Sequence, residues 1–395
     1  MQIYLDYSAT TPPRSEAITK MQEIMLEQWG NPSSLHAWGE RSAIALEIAR
    51  LQVANLINAV TSESIVFTSG GTEADNLAIM GIARQYAAPQ HLIISSVEHS
   101  AVDQPAKFLE QQGWQVTRLR VNHQGRINPL DLEAAIQPNT VLISIIYGQS
   151  EIGTLQPIER LASIARRHNI LFHTDAVQVS GRLPIDVQKL GIDLLSMSAH
   201  KIYGVQGAGA LYLRPGVNLL PLIDGGGQEN KLRSGTQAVP AIAAFGVAAE
   251  LAAQEMAVET ARLRELRDRL FDHFVDCPYL VPTGDRLYRL PHHVSFVLSD
   301  LFASQTKDVT GKTLVRELNL AGIGISAGSA CNSGKLNPSK ILLAMGYDEL
   351  AAKRGIRLTL GKDTTKADID WTAMVLKQIL KRLVYAANPL ATVGC

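Results

Sequence analysis

Apolar and polar positions along the chain follow two rhythms. Short, nearly continuous apolar runs occur at 65–68 and 91–95, and between them, from about 73 to 86, apolar positions recur at helical spacing. A strand, a helix and a second strand in that order predict a parallel pair joined by a crossover helix. Further apolar runs at 116–119, 141–146, 171–173, 194–196 and 210–213 read as strands, several of them separated by helical or loop segments. Ahead of them, Ile3, Tyr4 and Leu5 read as a short strand closed by the Thr10-Thr-Pro-Pro13 turn, Gly30-Asn-Pro-Ser-Ser34 as a loop, and 41–58 as a helix. Strands this apolar need cover on both faces, so the expected fold class is α/β, a mostly parallel sheet with helices on each side. Ligands of such sheets sit beyond the carboxyl ends of the strands, which makes the residues just after each run the candidates for chemistry.

Beyond Gly246 the pattern changes. A long charged helix from about 251 to 274 reads as a connector, and the later segments, including a strand-like run at 294–298, read as a smaller α+β domain. An amphipathic helix with Val375, Ile379 and Leu383 on one face closes it, with Thr365 and Asp368 as its capping pair. The most apolar segment, 238–253, is broken by Pro240, Gly246 and Glu250 and reads as too short to span a bilayer.

Composition narrows the function classes. The chain has 395 residues and 46% hydrophobic content, enough for two domains or one large domain with an appendage. Lys plus Arg and Asp plus Glu number 37 each, so net charge points neither to nucleic acid nor to a membrane surface. The first residues show no basic segment leading into an apolar run and read as lacking a signal peptide. Cys277, Cys331 and Cys395 are too few and scattered for a disulfide framework or zinc site, and a reducing, cytoplasmic setting is expected.

Several strand exits carry chemistry-bearing residues. Lys201, in Ser196-Met-Ser-Ala-His-Lys201, follows an apolar run; a desolvated lysine near other cations becomes an amine nucleophile, whereas an ordinary loop lysine stays charged. Ser69-Gly-Gly71-Thr72 lies between a strand and a helix, where backbone N–H groups favour an anion, although glycine turns before helices are common. Asp175 emerges from a strand and could stabilise a positive ring nitrogen, with Gln178 three residues on, or it could simply cap a helix. His99, after Glu98, could stack on a flat ligand and move protons, or be a loop histidine. Cys331 sits among small residues in Ser326-Ala-Gly-Ser-Ala-Cys331-Asn-Ser-Gly334, a placement that favours a reactive thiol as much as a harmless surface one. Arg357, in an alternating strand, could present its fork to a carboxylate, and the Gly225-Gly-Gly227 and Arg233-Ser-Gly-Thr236 stretches have an anion-binding flavour.

Taken together and in order, Thr72, His99, Asp175, Gln178, Ser198, His200, Lys201, Arg233-Ser-Gly-Thr236, Cys331 and Arg357 resemble a pyridoxal-phosphate (PLP) enzyme of the aspartate-aminotransferase fold (fold type I, class-V aminotransferases). More narrowly, they resemble the cysteine desulfurases of the NifS/IscS group. The resemblance runs from Tyr4-Leu-Asp-Tyr-Ser-Ala-Thr-Thr11 through Asn31-Pro-Ser-Ser-Leu-His36 to Ile356-Arg357. It implies a large cofactor-binding domain over 15–258 and a small domain made of 1–14 and 259–395. It also implies that Lys201 tethers PLP, Asp175 pairs with the ring nitrogen, Gln178 bonds the ring hydroxyl, and His99 stacks on the ring and moves protons. Gly71, Thr72, Ser198 and His200 would hold the phosphate, joined by Thr236 from the other subunit of a homodimer, while Arg357 would bind the substrate carboxylate. The implied reaction converts L-cysteine to L-alanine and leaves a persulfide on Cys331, from which sulfur passes to an acceptor protein such as an iron-sulfur scaffold. The Cys331 loop matches the NifS/IscS type and lacks the Gly-His-His-Cys type of the SufS group. Two stretches depart from the group: Gln149-Ser150 stands where Asn-Asn is usual, which bears on substrate selectivity at Ser150, and Glu229-Asn-Lys231 where Glu-Arg-Gly or similar is usual. The competing readings are a cystine C-S lyase or selenocysteine lyase on the same fold, and a non-enzymatic anion- or nucleotide-binding protein using 69–72.

Overall fold

All seven apolar runs between 65 and 213 join one sheet. The structure, a computed structural model, describes residues 2–306, 309–328 and 337–387. Numbered after β1 (Ile3–Tyr4), the strands are β2 (Ile65–Thr68), β3 (His91–Ser95), β4 (Gln115–Leu119), β5 (Thr140–Ser144), β6 (Leu171–Asp175), β7 (Leu194–Ser198) and β8 (Gly209–Leu213). Their spatial order is β2-β8-β7-β6-β5-β3-β4, and β8 alone runs antiparallel to its neighbours.

Alternation along each strand explains the unbroken apolar runs. Ile65, Phe67, Ile93, Ile143, Phe172, Leu195 and Met197 point into one core, and Val66, Leu92, Ile94, Leu142, Leu194 and Leu211 into another on the opposite face. Helix α3 (Gly71–Ala83) and α4 (Ser100–Gln111) cover the second face, with α3 packed over β7 and β8. Helices α1 (Ser15–Glu27) and α2 (Ala37–Leu56) both pack against the long helix Val239–Asp272.

The long helix is the largest departure from the sequence reading. It is one continuous element rather than an apolar stretch followed by a helix from about 251. Pro240 falls in its first turn, where no intrahelical N–H is needed, so it starts the helix instead of breaking it. By length and composition alone this helix could cross a membrane, contrary to expectation, but half of its apolar window is buried inside the protein. Gly246 explains the burial: an added Cβ there would meet the Ala49 backbone at 2.6 Å, so glycine permits the close crossing of α2.

A separate core gathers Ile3, Leu5, the end of the long helix and residues up to Val384. Around it lie β9 (Leu280–Pro282), β10 (His293–Leu298) and β12 (Gly355–Thr359) in an antiparallel sheet, and β11 (Ile323–Gly324), which pairs with β1. The closing helix Lys366–Ala387 buries Val375 and Ile379, and Thr365 and Asp368 cap it reciprocally as expected. Cys277 is buried. Cys331 and Cys395 lie outside the described residues.

Candidate active site

Because β2, β3, β5, β6 and β7 run in the same sense, their carboxyl ends open on one side. The residues that follow them line a cavity of about 440 Å³: Gly71 and Thr72 after β2, Glu98 and His99 after β3, Gln149 and Ser150 after β5, Asp175 and Gln178 at β6, and Ser198, His200 and Lys201 at β7. Arg357 enters from β12, so residues far apart in sequence converge as the motif order suggested. Thr236 is exposed and is not part of this wall. A larger cavity, about 710 Å³, lies behind the segment from Tyr7 to Pro13 and has no lysine, arginine or histidine in its lining, so chemistry assigns the smaller one.

Lys201 closes a short 3₁₀ turn after β7, and its Nζ donates to the Ser8 and Ala9 carbonyls at 2.7 Å each. Burial, reinforced by the Arg357 and Arg182 cations, brings its pKa from 10.5 down to about 8, against the pull of Asp175 and Asp6. That is the desolvated lysine beside cations which amine chemistry requires. His200 bonds Thr10 Oγ1 at 3.1 Å, and burial, then the Lys201 charge, lower its pKa to about 4, so it is neutral near pH 7.

Asp175 is buried, and its Oδ1 accepts from the Val177 N–H at 3.0 Å. Burial raises its pKa, while His99, the Val177 N–H and Lys201 oppose the rise. His99 caps α4, its Nδ1 accepting from the Ala101 N–H at 3.2 Å, which fixes the ring over the cavity. Gln178 donates from Nε2 to the Ser8 carbonyl at 2.9 Å and leaves Oε1 buried without a partner.

Arg357 is only 3% exposed. One terminal nitrogen donates to Asp6 Oδ1 at 2.6 Å and the other to the Ser150 carbonyl at 3.1 Å, while Nε has no partner. With two of its five N–H donors anchored, the guanidinium is oriented and still has N–H groups for a carboxylate. At the unusual Gln149-Ser150 pair, the Ser150 carbonyl accepts from both Arg357 and His293 Nε2, the latter at 2.9 Å. The backbone is therefore pinned, and the shorter side chain widens the cavity without loosening its wall.

The second departure is a left-handed turn. Glu229, Asn230 and Lys231 all have positive φ (49°, 55° and 66°), a conformation costly for any residue but glycine. Buried Glu229 anchors the turn with two bonds to Arg50, at 2.7 and 2.9 Å, and one from the Phe67 N–H at 2.8 Å. Arg233 ties it to Glu73 of α3 at 2.9 Å.

The residues present fit pyridoxal phosphate. Helix α3 begins at Gly71 with no side-chain cap, so its first N–H groups remain open to a phosphate beside Thr72, Ser198 and His200. A Cβ on Gly71 would come within 2.7 Å of Val177, so only glycine lets the helix start this close to β6. The orphaned Gln178 Oε1 and the Asp175 carboxyl on the cavity wall supply the acceptors that a ring hydroxyl and a ring nitrogen need.

Sequence reasoning missed several members of the wall. The Ser8 and Ala9 carbonyls, Arg182, Asp6 and Asp75 all bear on Lys201, Arg357 or Asp175. Asp75 was within reach, since it lies three residues after Thr72 on the same helix face. The carbonyls left no trace in side-chain types.

A family model described as Aminotransferase class-V matches residues 3–371. A cysteine desulfurase IscS from Dictyoglomus turgidum is 45% identical over 386 residues, covering 97% of this chain and 95% of the relative. Another, from Methanosarcina thermophila, is 43% identical over 382 residues, covering 96% and 92%. Among solved structures, a NifS-like protein superposes with a TM-score of 0.89 at 32% identity, covering 97% of this chain and all of its own. A structure titled SspA in complex with cysteine superposes with a TM-score of 0.79 at 36% identity, covering 91% and 99%. The chain belongs to the class-V aminotransferase family of pyridoxal-phosphate-dependent enzymes, built on fold type I.

Proposed function

We propose that the protein is a cysteine desulfurase that takes the sulfur of L-cysteine onto Cys331 and releases L-alanine. One observation carries this reading beyond the family: Gly328 lines the same cavity as Lys201 and Arg357. Three residues of chain span at most about 10 Å, so Cys331 is tethered within reach of that cavity.

In this reading Lys201 is the tether of pyridoxal phosphate, Asp175 faces its ring nitrogen, Gln178 its hydroxyl and His99 its ring face. Gly71, Thr72, Ser198 and His200 hold the phosphate. When bound, the cofactor draws electrons from the substrate and weakens its C–S bond. Arg357 holds the substrate carboxylate through the guanidinium N–H groups its two anchors leave, and Lys201, its pKa lowered to about 8, carries protons to and from the substrate. The Cys331 thiolate attacks the substrate sulfur; an S–S bond forms, the C–S pair stays on carbon, and carbon takes a proton to give alanine. Ser150 bears on selectivity through the space it leaves.

The unit 15–258 is the cofactor-binding domain and 1–14 with 259–395 the smaller one, a division supported by the separate core of Ile3, Leu5 and residues from Leu263 onward. The protein acts as a homodimer in this reading. Leu26, Trp29, Leu35, Trp38, Ile44 and Ile48 stand exposed on and between α1 and α2, apolar side chains that a second copy would cover. Thr236, exposed and off the cavity wall, then reaches the partner's phosphate. The acceptor of the persulfide sulfur is a protein such as an iron-sulfur scaffold, and the setting is cytoplasmic. The yields of alanine and sulfide from cysteine, cystine and selenocysteine test the assignment. Cysteine is expected to give equal alanine and sulfur, lost in Cys331→Ala; turnover of cystine that ignores this substitution would establish the lyase instead.

A further inference from the structure

A second carboxyl lies behind Asp175. Asp75 of α3 is buried, lines the cofactor cavity, and has an oxygen with no hydrogen-bond partner. A carboxylate oxygen of Asp75, a ring nitrogen of His99 and a carboxylate oxygen of Asp175 lie within 4.8 Å of one another, with the buried acid Glu98 on the adjoining loop. Like charges this close in a water-poor site do not all persist, and one carboxyl keeps its proton.

The neighbours decide which. Asp175 receives the Val177 N–H and faces His99 and Lys201, all of which favour its charge. Asp75 meets burial first, then repulsion from Asp175 and Glu98, with only the Ser196 hydroxyl in its favour. His173 Nε2 lies 3.6 Å from Asp75, but that ring is fully buried and burial lowers its pKa to about 3, so it is neutral and offers Asp75 no charge.

A hydrogen-bond chain then follows. His173 Nε2 lies 3.0 Å from Ser196 Oγ, and its Nδ1 lies 2.8 Å from Ser144 Oγ. If Asp75 donates to Ser196, Ser196 donates to His173 Nε2, and the His173 Nδ1–H donates to Ser144, so each contact in the chain has one donor and one acceptor and the neutral ring uses both nitrogens. We propose that Asp75 is a positioning residue that acts as a neutral carboxylic acid, holding its proton against Ser196 so that Asp175 alone is the carboxylate facing the cofactor ring. This rests on the reading of the cavity as the pyridoxal-phosphate site.

The test uses holoenzyme in its full-length form. Infrared spectra of protein carrying isotope-labelled aspartate separate an aspartic acid carbonyl band from that of Glu98. A labelled, protonated band is expected at neutral pH in wild type and absent in Asp75→Asn. In parallel, Asp75→Asn, which mimics the neutral acid, is expected to hold pyridoxal phosphate within about threefold of wild type and to leave the pH midpoint of its visible absorbance unmoved. Asp75→Ala is expected to bind it about tenfold more weakly, because Ser196 and His173 lose their partner. Absence of the labelled band in wild type, or a downward midpoint move of about one pH unit or more in Asp75→Asn, overturns the inference, since either shows a charged Asp75. The infrared arm needs no variant to fold. Should the wild-type protein bind no pyridoxal phosphate at all, the site reading itself fails, which is a distinct outcome.

Discussion

Replacing Lys201 by methionine isolates the cost of keeping a cation in this cavity. Burial, with Arg357 and Arg182, takes the lysine from 10.5 to about 8. That difference of about 2.5 pH units, at 1.36 kcal/mol each, amounts to about 3 kcal/mol. Below pH 8 folded and unfolded chains both hold the proton and the full cost is present. Between about 8 and 10.5 the unfolded chain still binds a proton that the folded protein has released, so folding becomes more favourable as pH rises. Cofactor-free wild type is therefore expected to gain up to about 3 kcal/mol relative to Lys201→Met across that window, read as urea midpoints at several pH values. Methionine also deprives the Ser8 and Ala9 carbonyls of a donor, at about 1–3 kcal/mol, but that offset does not vary with pH. Parallel pH curves for the two proteins would refute the claim that Lys201 is depressed. The same depression leaves about one lysine in ten uncharged at neutral pH, against about one in three thousand at the ordinary value, which is what makes it available to a carbonyl cofactor.

Arg357→Ala removes the guanidinium from the cavity wall and strands Asp6, so kcat/KM for cysteine is expected to fall about a hundredfold, chiefly through KM; unchanged steady-state kinetics would remove the arginine from carboxylate binding. Glu229→Ala leaves buried Arg50 and the Phe67 N–H without their acceptor and is expected to cost about 3–5 kcal/mol in urea unfolding. Lys231→Gly acts in the opposite sense: relief of its left-handed backbone is expected to stabilise by about 1 kcal/mol, and a loss of stability would show that the lysine side chain matters more than φ.

Local signals in the sequence carried most of the sheet, because its strands are buried on both faces and read as unbroken apolar runs. The exits of those strands, and hence Thr72, His99, Asp175, Gln178 and Lys201, were legible for the same reason. The start of the long helix was not, since Pro240 looks the same in a first turn as in a break, and only the packing of α1 and α2 along Val239–Asp272 distinguishes them. The Asp6–Arg357 pair and the docking of Lys201 on the Ser8 and Ala9 carbonyls join residues 351, 193 and 192 positions apart, distances over which no periodicity speaks. Nor could the sequence show that Glu229 is buried against Arg50, because a charged residue in a polar loop reads as solvated.

The most direct measurement is the mass of the Cys331-containing peptide after holoenzyme meets L-cysteine, taken with the alanine released. A gain of one sulfur atom on that peptide, one alanine per sulfur, and loss of both sulfur capture and sulfide release in Cys331→Ala are the expected results. Sulfide released at the wild-type rate by Cys331→Ala, with dithiothreitol present, would contradict the desulfurase mechanism outright.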